Sequence, residues 1–226
     1  MATQHLDLDE QEQLANLKHF WNSYGKAITA VAVVAALAYA GWTGWNHWQY
    51  NQSQKSAVLF DELSKAVTAG DVAKTDRVFA DMKDKFGATS YTAQAALLSA
   101  RMNYGTGKVD ASKAALQWLV DSGAEDAYRD VARLRLAGVQ IEAKQYDEAI
   151  KLLSGNTSKS FAPLAADRMG DAYALQNKPE EAKAQYLKAY AGLSEQDDYR
   201  KMVEVKLARM GAAPTPSAAP AAKAAQ

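Results

Sequence analysis

The chain has 226 residues, and its 26 Lys and Arg residues are balanced by 26 Asp and Glu residues. With no run of five basic residues, it lacks the basic patch typical of nucleic-acid binding, so we expect no nucleic-acid partner. Cysteine is absent and all three histidines precede residue 49, which excludes thiol chemistry throughout and histidine-based catalysis in the long remainder. We therefore expect neither an enzyme nor a cofactor or metal site.

The N-terminal segment, residues 1–24, is net acidic and is predicted to be cytoplasmic. Its apolar residues fall near one side of a helix over 6–21, namely Leu6, Leu14, Leu17, Phe20 and Trp21. Such a helix would lie on the membrane surface or meet a cytosolic partner. A loosely ordered tail is the alternative.

A transmembrane helix is predicted over residues 25–48. No charged residue occurs from Ala27 to Asn46, a length that matches a bilayer core of roughly 30 Å. Three tryptophans near its end predict an interfacial aromatic belt: Trp42, Trp45 and Trp48. A signal peptide cleaved after Ala38-Tyr39-Ala40 is opposed by the long acidic segment in front. A buried core helix is opposed by the length of the uncharged span.

Small residues recur every four positions along one face of this span, at Ala32, Ala36, Ala40 and Gly44. Small residues at that spacing let a second membrane helix approach, so we predict lateral contact with a partner here, surrounded by membrane lipid. A chance pattern in an alanine-rich span is the alternative. The charge nearest to the span is Lys26, which favours a cytoplasmic N terminus and, in a bacterium, a periplasmic C-terminal domain.

Residues 49–210 are predicted to form an all-α domain of antiparallel helix pairs. Turn-forming residues separate segments of helical periodicity, and no strand pattern competes. They are Gly70-Asp71, Gly87, Gly105 to Gly107, Ser122-Gly123, Ser154 to Asn156, Asn177 to Pro179, and Gly192.

A period of 34 and 33 residues runs through this domain and predicts a tetratricopeptide-like helical-repeat solenoid. The series are Met102, Leu136 and Met169; Ala115, Ala149 and Ala182; and Leu119, Leu153 and Tyr186. The alanines are expected where the two helices of a unit cross, because only a small residue lets the axes close up. The last unit matches the tetratricopeptide pattern best, with Gly170, Tyr173 and Ala189 also in place.

The inner face of the solenoid is the candidate partner-binding surface, and Tyr104, Leu134, Asp167 and Asp171 are its candidate residues. This face lacks the Lys, Arg and Asn set of tetratricopeptide domains that clamp a C-terminal carboxylate, so apolar or basic extended segments are expected to suit it. Residues 196–210 are predicted to form a closing helix. The inner contacts expected of this helix are Tyr199, Met202, Val203, Val205 and Leu207. An Ala- and Pro-rich tail over 211–226 is predicted to be disordered.

Three sequence blocks carry a family resemblance: Asn16 to Ala27, Gly41-Trp42 to Trp48, and Ala132 to Ala137. With the layout of the chain from about Leu14 to Met210, they resemble the ancillary subunits of the bacterial SecYEG translocon. The resemblance implies an inner-membrane protein that associates with SecYEG and with a membrane-anchored periplasmic chaperone of the peptidyl-prolyl isomerase type. It implies a role in passing translocating client proteins to periplasmic folding factors, and it supplies no catalytic residues. A membrane-tethered scaffold for another cell-envelope assembly system is the alternative.

Overall fold

The computed structural model describes residues 8–155 and 157–212, and within these ranges every regular element is an α-helix. This confirms the predicted all-α class. The chain divides into two compact units, Met1–Gln52 and Ser53–Gln226. The helices are α1 Leu8–Thr68, α2 Val72–Phe86, α3 Ser90–Gly105, α4 Val109–Asp121, α5 Asp126–Glu142, α6 Tyr146–Leu153, α7 Ala162–Leu175, α8 Pro179–Gly192 and α9 Asp198–Arg209.

The first unit holds the N-terminal part of α1, which is apolar and exposed. Its most apolar 18-residue window has a mean hydropathy of 1.6 and contains no buried residue. The helix is therefore long and apolar enough to cross a membrane. This exposure argues against the alternative of a buried core helix. The hydroxyls of Thr29 and Thr43 donate to the carbonyls of Gly25 and Tyr39 at 2.8 and 2.9 Å. Both polar groups are therefore satisfied within the helix, as an apolar surrounding requires.

The second unit is a stack of helix pairs, with one extra helix at the end. The C-terminal part of α1 pairs with α2, where Leu63 shares a buried core with Val78 and Met82. The pairs α3–α4, α5–α6 and α7–α8 follow, closed by α9. The repeated alanines are buried at the crossings, with Ala115 5% exposed and Ala149 and Ala182 fully buried. The large residues four positions later, Leu119, Leu153 and Tyr186, are at most 3% exposed. These positions hold the core of each pair because close helix axes and interdigitating side chains bury the most apolar surface.

The turn inside each helix pair contains one residue with positive φ, two positions before the second helix begins. These residues are Gly70 at 72°, Gly107 at 77°, Lys144 at 60° and Asn177 at 58°. Glycine and asparagine tolerate this conformation, so the sequence pattern predicted three of the four turns. The turn at Lys144 was not predicted, because lysine gives no signal for a left-handed residue.

At the closing helix α9, two of the expected inner contacts are wrong. Val203 and Leu207 are fully buried, but Met202 is 57% and Val205 52% exposed. A terminal helix packs on one side only, so residues four apart face α8 while the residues between them face outward. Residues 1–7 of the predicted cytoplasmic segment, and the predicted disordered tail from residue 213, lie outside the described residues. The predicted domain limits at residues 24, 48 and 210 stay predictions.

Candidate functional site

A groove of about 480 Å³ crosses the inner helices of the repeat domain. That volume is typical of small ligand sites and of pockets that take a few side chains. Apolar side chains and Ser112 form most of the lining, and four charged side chains stand among them. The lining residues are Ala100, Arg101, Tyr104, Ser112, Leu116, Leu134, Arg135, Gly138, Val139, Glu142 and Arg168.

Two of the four predicted inner-face residues, Tyr104 and Leu134, lie together in this groove. Tyr104 is 39% exposed, and its hydroxyl donates a hydrogen bond to the Glu142 carboxylate, which connects α3 to α5. This hydrogen bond raises the pKa of the Tyr104 hydroxyl above its ordinary value. The ring is thereby held as an aromatic wall at one end of the groove.

The other two predicted residues, Asp167 and Asp171, face α9 instead. Asp167 is 1% exposed and accepts hydrogen bonds from Lys206 Nζ at 2.8 Å and from the Tyr199 hydroxyl at 2.6 Å. Asp171 Oδ1 accepts from Lys206 Nζ at 2.7 Å and from the Tyr186 hydroxyl at 2.8 Å. The structure therefore gives both carboxylates intrachain partners that fasten the closing helix, an arrangement that favours a structural role.

Burial is the main cause of a raised pKa at both tyrosines of this cluster. The charge of Asp171 raises the pKa of the Tyr186 hydroxyl further, and the hydrogen bond to Asp167 raises the pKa of the Tyr199 hydroxyl further. Both phenols therefore stay protonated hydrogen-bond donors at neutral pH.

Three groove residues were missed at the sequence level: Arg101, Arg135 and Arg168. The sequence does contain a signal for them: the arginines stand 34 and 33 residues apart, and each directly precedes a member of the Met102, Leu136 and Met169 series. The expectation that this face suits basic segments is wrong for the groove, since three arginines line it against one glutamate. Exposed positions of a repeat carry no packing signature, so only their meeting in one groove marks them as a set.

A second hollow, of about 1530 Å³, runs along α1 between Leu17 and Val34. All of its lining residues belong to one helix, so it is an open helix face and not a cavity. The predicted membrane-contact residues, Ala32, Ala36, Ala40 and Gly44, are exposed on that helix, and their role stays a prediction. Within residues 8–155 and 157–212, no group of three His, Cys, Asp or Glu side chains is placed to hold a metal ion.

The chain is similar to known proteins over most of its length. Residues 18–212 match the family model described as a tetratricopeptide repeat-like domain. The chain is 29% identical over 201 residues to an ancillary SecYEG translocon subunit of Neisseria gonorrhoeae, covering 88% of this chain and 96% of that protein. It is also 29% identical over 167 residues to an ancillary SecYEG translocon subunit of Escherichia coli K12, covering 73% of this chain and 79% of that protein. These relatives confirm the resemblance predicted from the sequence.

Proposed function

Because the chain belongs to the tetratricopeptide repeat-like domain family, we propose that it is a membrane-anchored ancillary subunit of the SecYEG translocon that binds other proteins through its repeat domain. One observation carries the proposal. A helix able to cross a membrane and a solenoid with an open inner groove stand in one chain, and that chain aligns over 96% of a relative that bears this name. Helical-repeat grooves bind extended or helical segments of other chains.

We further propose a role in the transfer of secreted proteins after translocation. The subunit links translocating client proteins to a membrane-anchored periplasmic chaperone of the peptidyl-prolyl isomerase type and is itself non-catalytic. The absence of cysteine from the chain and of histidine after residue 48 supports the non-catalytic role. The position of Lys26 before the span supports an inner-membrane protein with a cytoplasmic N terminus and a periplasmic repeat domain.

Within the membrane, we assign contact with the translocon to the small-residue face of α1. An added Cβ at Gly44 meets no atom within 4 Å, so this face is open to a neighbouring helix. A close helix–helix contact there would be stabilised by van der Waals packing, since lipid supplies no hydrophobic driving force between helices.

The test is purification of the full-length protein from its native membrane in mild detergent, followed by mass spectrometry of the co-purified proteins. We expect SecYEG subunits and a periplasmic chaperone. Ala36→Leu together with Ala40→Leu should reduce SecYEG recovery, whereas Val31→Leu with Val34→Leu, which adds bulk on the side of the helix away from the small-residue face, should leave it unchanged. Recovery of a different envelope complex without SecYEG would refute the proposal and favour a scaffold of another assembly system.

A further inference from the structure

Within residues 8–155 and 157–212, the three groove arginines form no ion pair, unlike their neighbours in the chain. Arg129 and Arg133 on α5 form ion pairs with carboxylates at 3.0 and 2.7 Å. Among the described residues, no Asp or Glu oxygen lies within 4.0 Å of the guanidinium groups of Arg101, Arg135 or Arg168. Three arginines and one glutamate line the groove and leave it a net charge of +2 (three minus one), and an anionic ligand would relieve the repulsion between the arginines.

The repeat sets a regular spacing between these arginines. They occupy equivalent positions on α3, α5 and α7, and α5 packs against both of the other helices. Packed helix axes lie roughly 8–10 Å apart, so the backbone positions that carry the arginines recur at about that interval along the groove. A polyproline II segment has three residues per turn and a rise of about 3.1 Å per residue, so side chains on one of its faces recur every ~9.3 Å. The two periods match.

Gly138 lies in the groove lining next to the guanidinium group of Arg168. Gly138 has no side chain, and a Cβ built there would lie 4.0 Å from Nη1 of Arg168. Glu142, the carboxylate of the lining, accepts a hydrogen bond from the Tyr104 hydroxyl and forms no ion pair with the three arginines. Leu134 and Val139 add apolar surface beside the charges. An extended chain with carboxylates on one face and small apolar residues on the other therefore fits this groove.

Resting on the proposed function, we propose that the groove binds an extended acidic segment of a partner protein, with carboxylates at every third residue held by Arg101, Arg135 and Arg168. Guanidinium groups bind carboxylates in bidentate geometry, which gives such a segment both affinity and register. A flat anionic lipid surface matches the site less well, because the apolar residues lie inside a concave groove and the arginines stand on three separate helices.

The probe is a fluorescent peptide, Ala-Pro-Glu repeated three times, with a blocked N terminus and an amidated C terminus. The full-length protein is reconstituted in nanodiscs of neutral phosphatidylcholine, and binding is followed by fluorescence anisotropy. We expect the affinity to fall at least about tenfold when Gln replaces the three Glu residues of the peptide, because charge-assisted hydrogen bonds are lost. A peptide of equal composition with its three Glu residues contiguous should also bind more weakly.

Variants of the protein test the arginines directly. Arg135→Gln should weaken binding about tenfold, whereas Arg209→Gln, an exposed arginine on α9 outside the groove, should leave it unchanged. Gly138→Leu should block binding without a change of charge, and Gly138→Ala, whose Cβ makes an ordinary contact, keeps the fold as a control. Far-UV circular dichroism verifies the helix content of each variant.

Several outcomes would overturn the inference. They are equal affinity for the Gln peptide, equal affinity for the contiguous peptide, or equal losses in Arg135→Gln and Arg209→Gln. Tight binding of a Gln peptide with a free C terminus would assign the groove to a terminal carboxylate instead. Arginine-dependent binding of phosphatidylglycerol vesicles without peptide binding would assign it to lipid. If SecYEG co-purifies but no acidic peptide binds, only this inference fails; if the peptide binds but SecYEG is absent, the proposed function fails and the groove assignment stands.

Discussion

Gly170 on α7 is the position where a single methyl group should disturb the repeat domain most. A Cβ there would lie 2.5, 2.6 and 3.0 Å from three carbon atoms of the Tyr186 ring. The ring cannot retreat freely, because Tyr186 is 3% exposed and its hydroxyl donates to Asp171 at 2.8 Å. Gly170→Ala must therefore displace either the ring with its hydrogen bond or the two helices that meet there.

The expected loss is the sum of three effects. Overpacking a close contact costs about 1–3 kcal/mol. Loosening a hydrogen bond to a charged group costs about 1.5–3 kcal/mol, and alanine recovers about 1 kcal/mol of helix propensity. The net free energy of unfolding should fall by about 1.5–5 kcal/mol, which corresponds to a decrease in Tm of roughly 3–20 °C for a chain of this size.

The assay is thermal unfolding of the full chain in mild detergent, followed by far-UV circular dichroism. Gly138→Ala in α5 is the matched control, because its Cβ meets only Arg168, at 4.0 Å. It should gain up to about 1 kcal/mol from helix propensity. A loss of the same size at both glycines would refute the reasoning. So would a cost of Gly170→Ala that persists in the background of Tyr186→Leu, where the ring is absent.

Three further predictions concern the closing helix and the topology. Lys206→Met leaves the buried Asp167 carboxylate without its cation and should lower the free energy of unfolding, measured by urea denaturation, by roughly 2–3 kcal/mol. The control is Lys201→Met, which should change the free energy of unfolding by less than about 0.5 kcal/mol because its ion pair is largely exposed. The folded state raises the pKa of Tyr186, so the contribution of this residue to stability is complete below pH about 10. At higher pH stability decreases, because the phenol ionises first in the unfolded chain. Tyr186→Phe should flatten this decrease, measured as the urea midpoint against pH. Since the chain has no cysteine, Met202→Cys should react with a membrane-impermeant maleimide on intact spheroplasts, whereas Gln13→Cys should react only after lysis. The opposite labelling pattern would invert the proposed topology.

Local chemistry made the helical framework predictable. Glycines and asparagines mark most turns because they tolerate positive φ, and the alanines at the helix crossings repeat with the period of the fold. The apolar, uncharged stretch before residue 48 is likewise a property of consecutive residues. The turn at Lys144 escaped prediction because backbone hydrogen bonds close it, with the Gln145 N–H donating to the Gln140 carbonyl at 2.8 Å, and such bonds leave no mark in the side chains.

The sequence by itself determined the all-α class, the span and the 34-residue period, because these depend on residues close together in the chain. Only the tertiary structure decided the chemistry of the inner face. It placed Asp167 and Asp171 against Lys206, 39 and 35 residues away, and so gave them intrachain partners. It brought three arginines from three helices into one groove. Such pairings depend on how successive units stack and on which helix closes the array, and periodicity within one helix does not encode them.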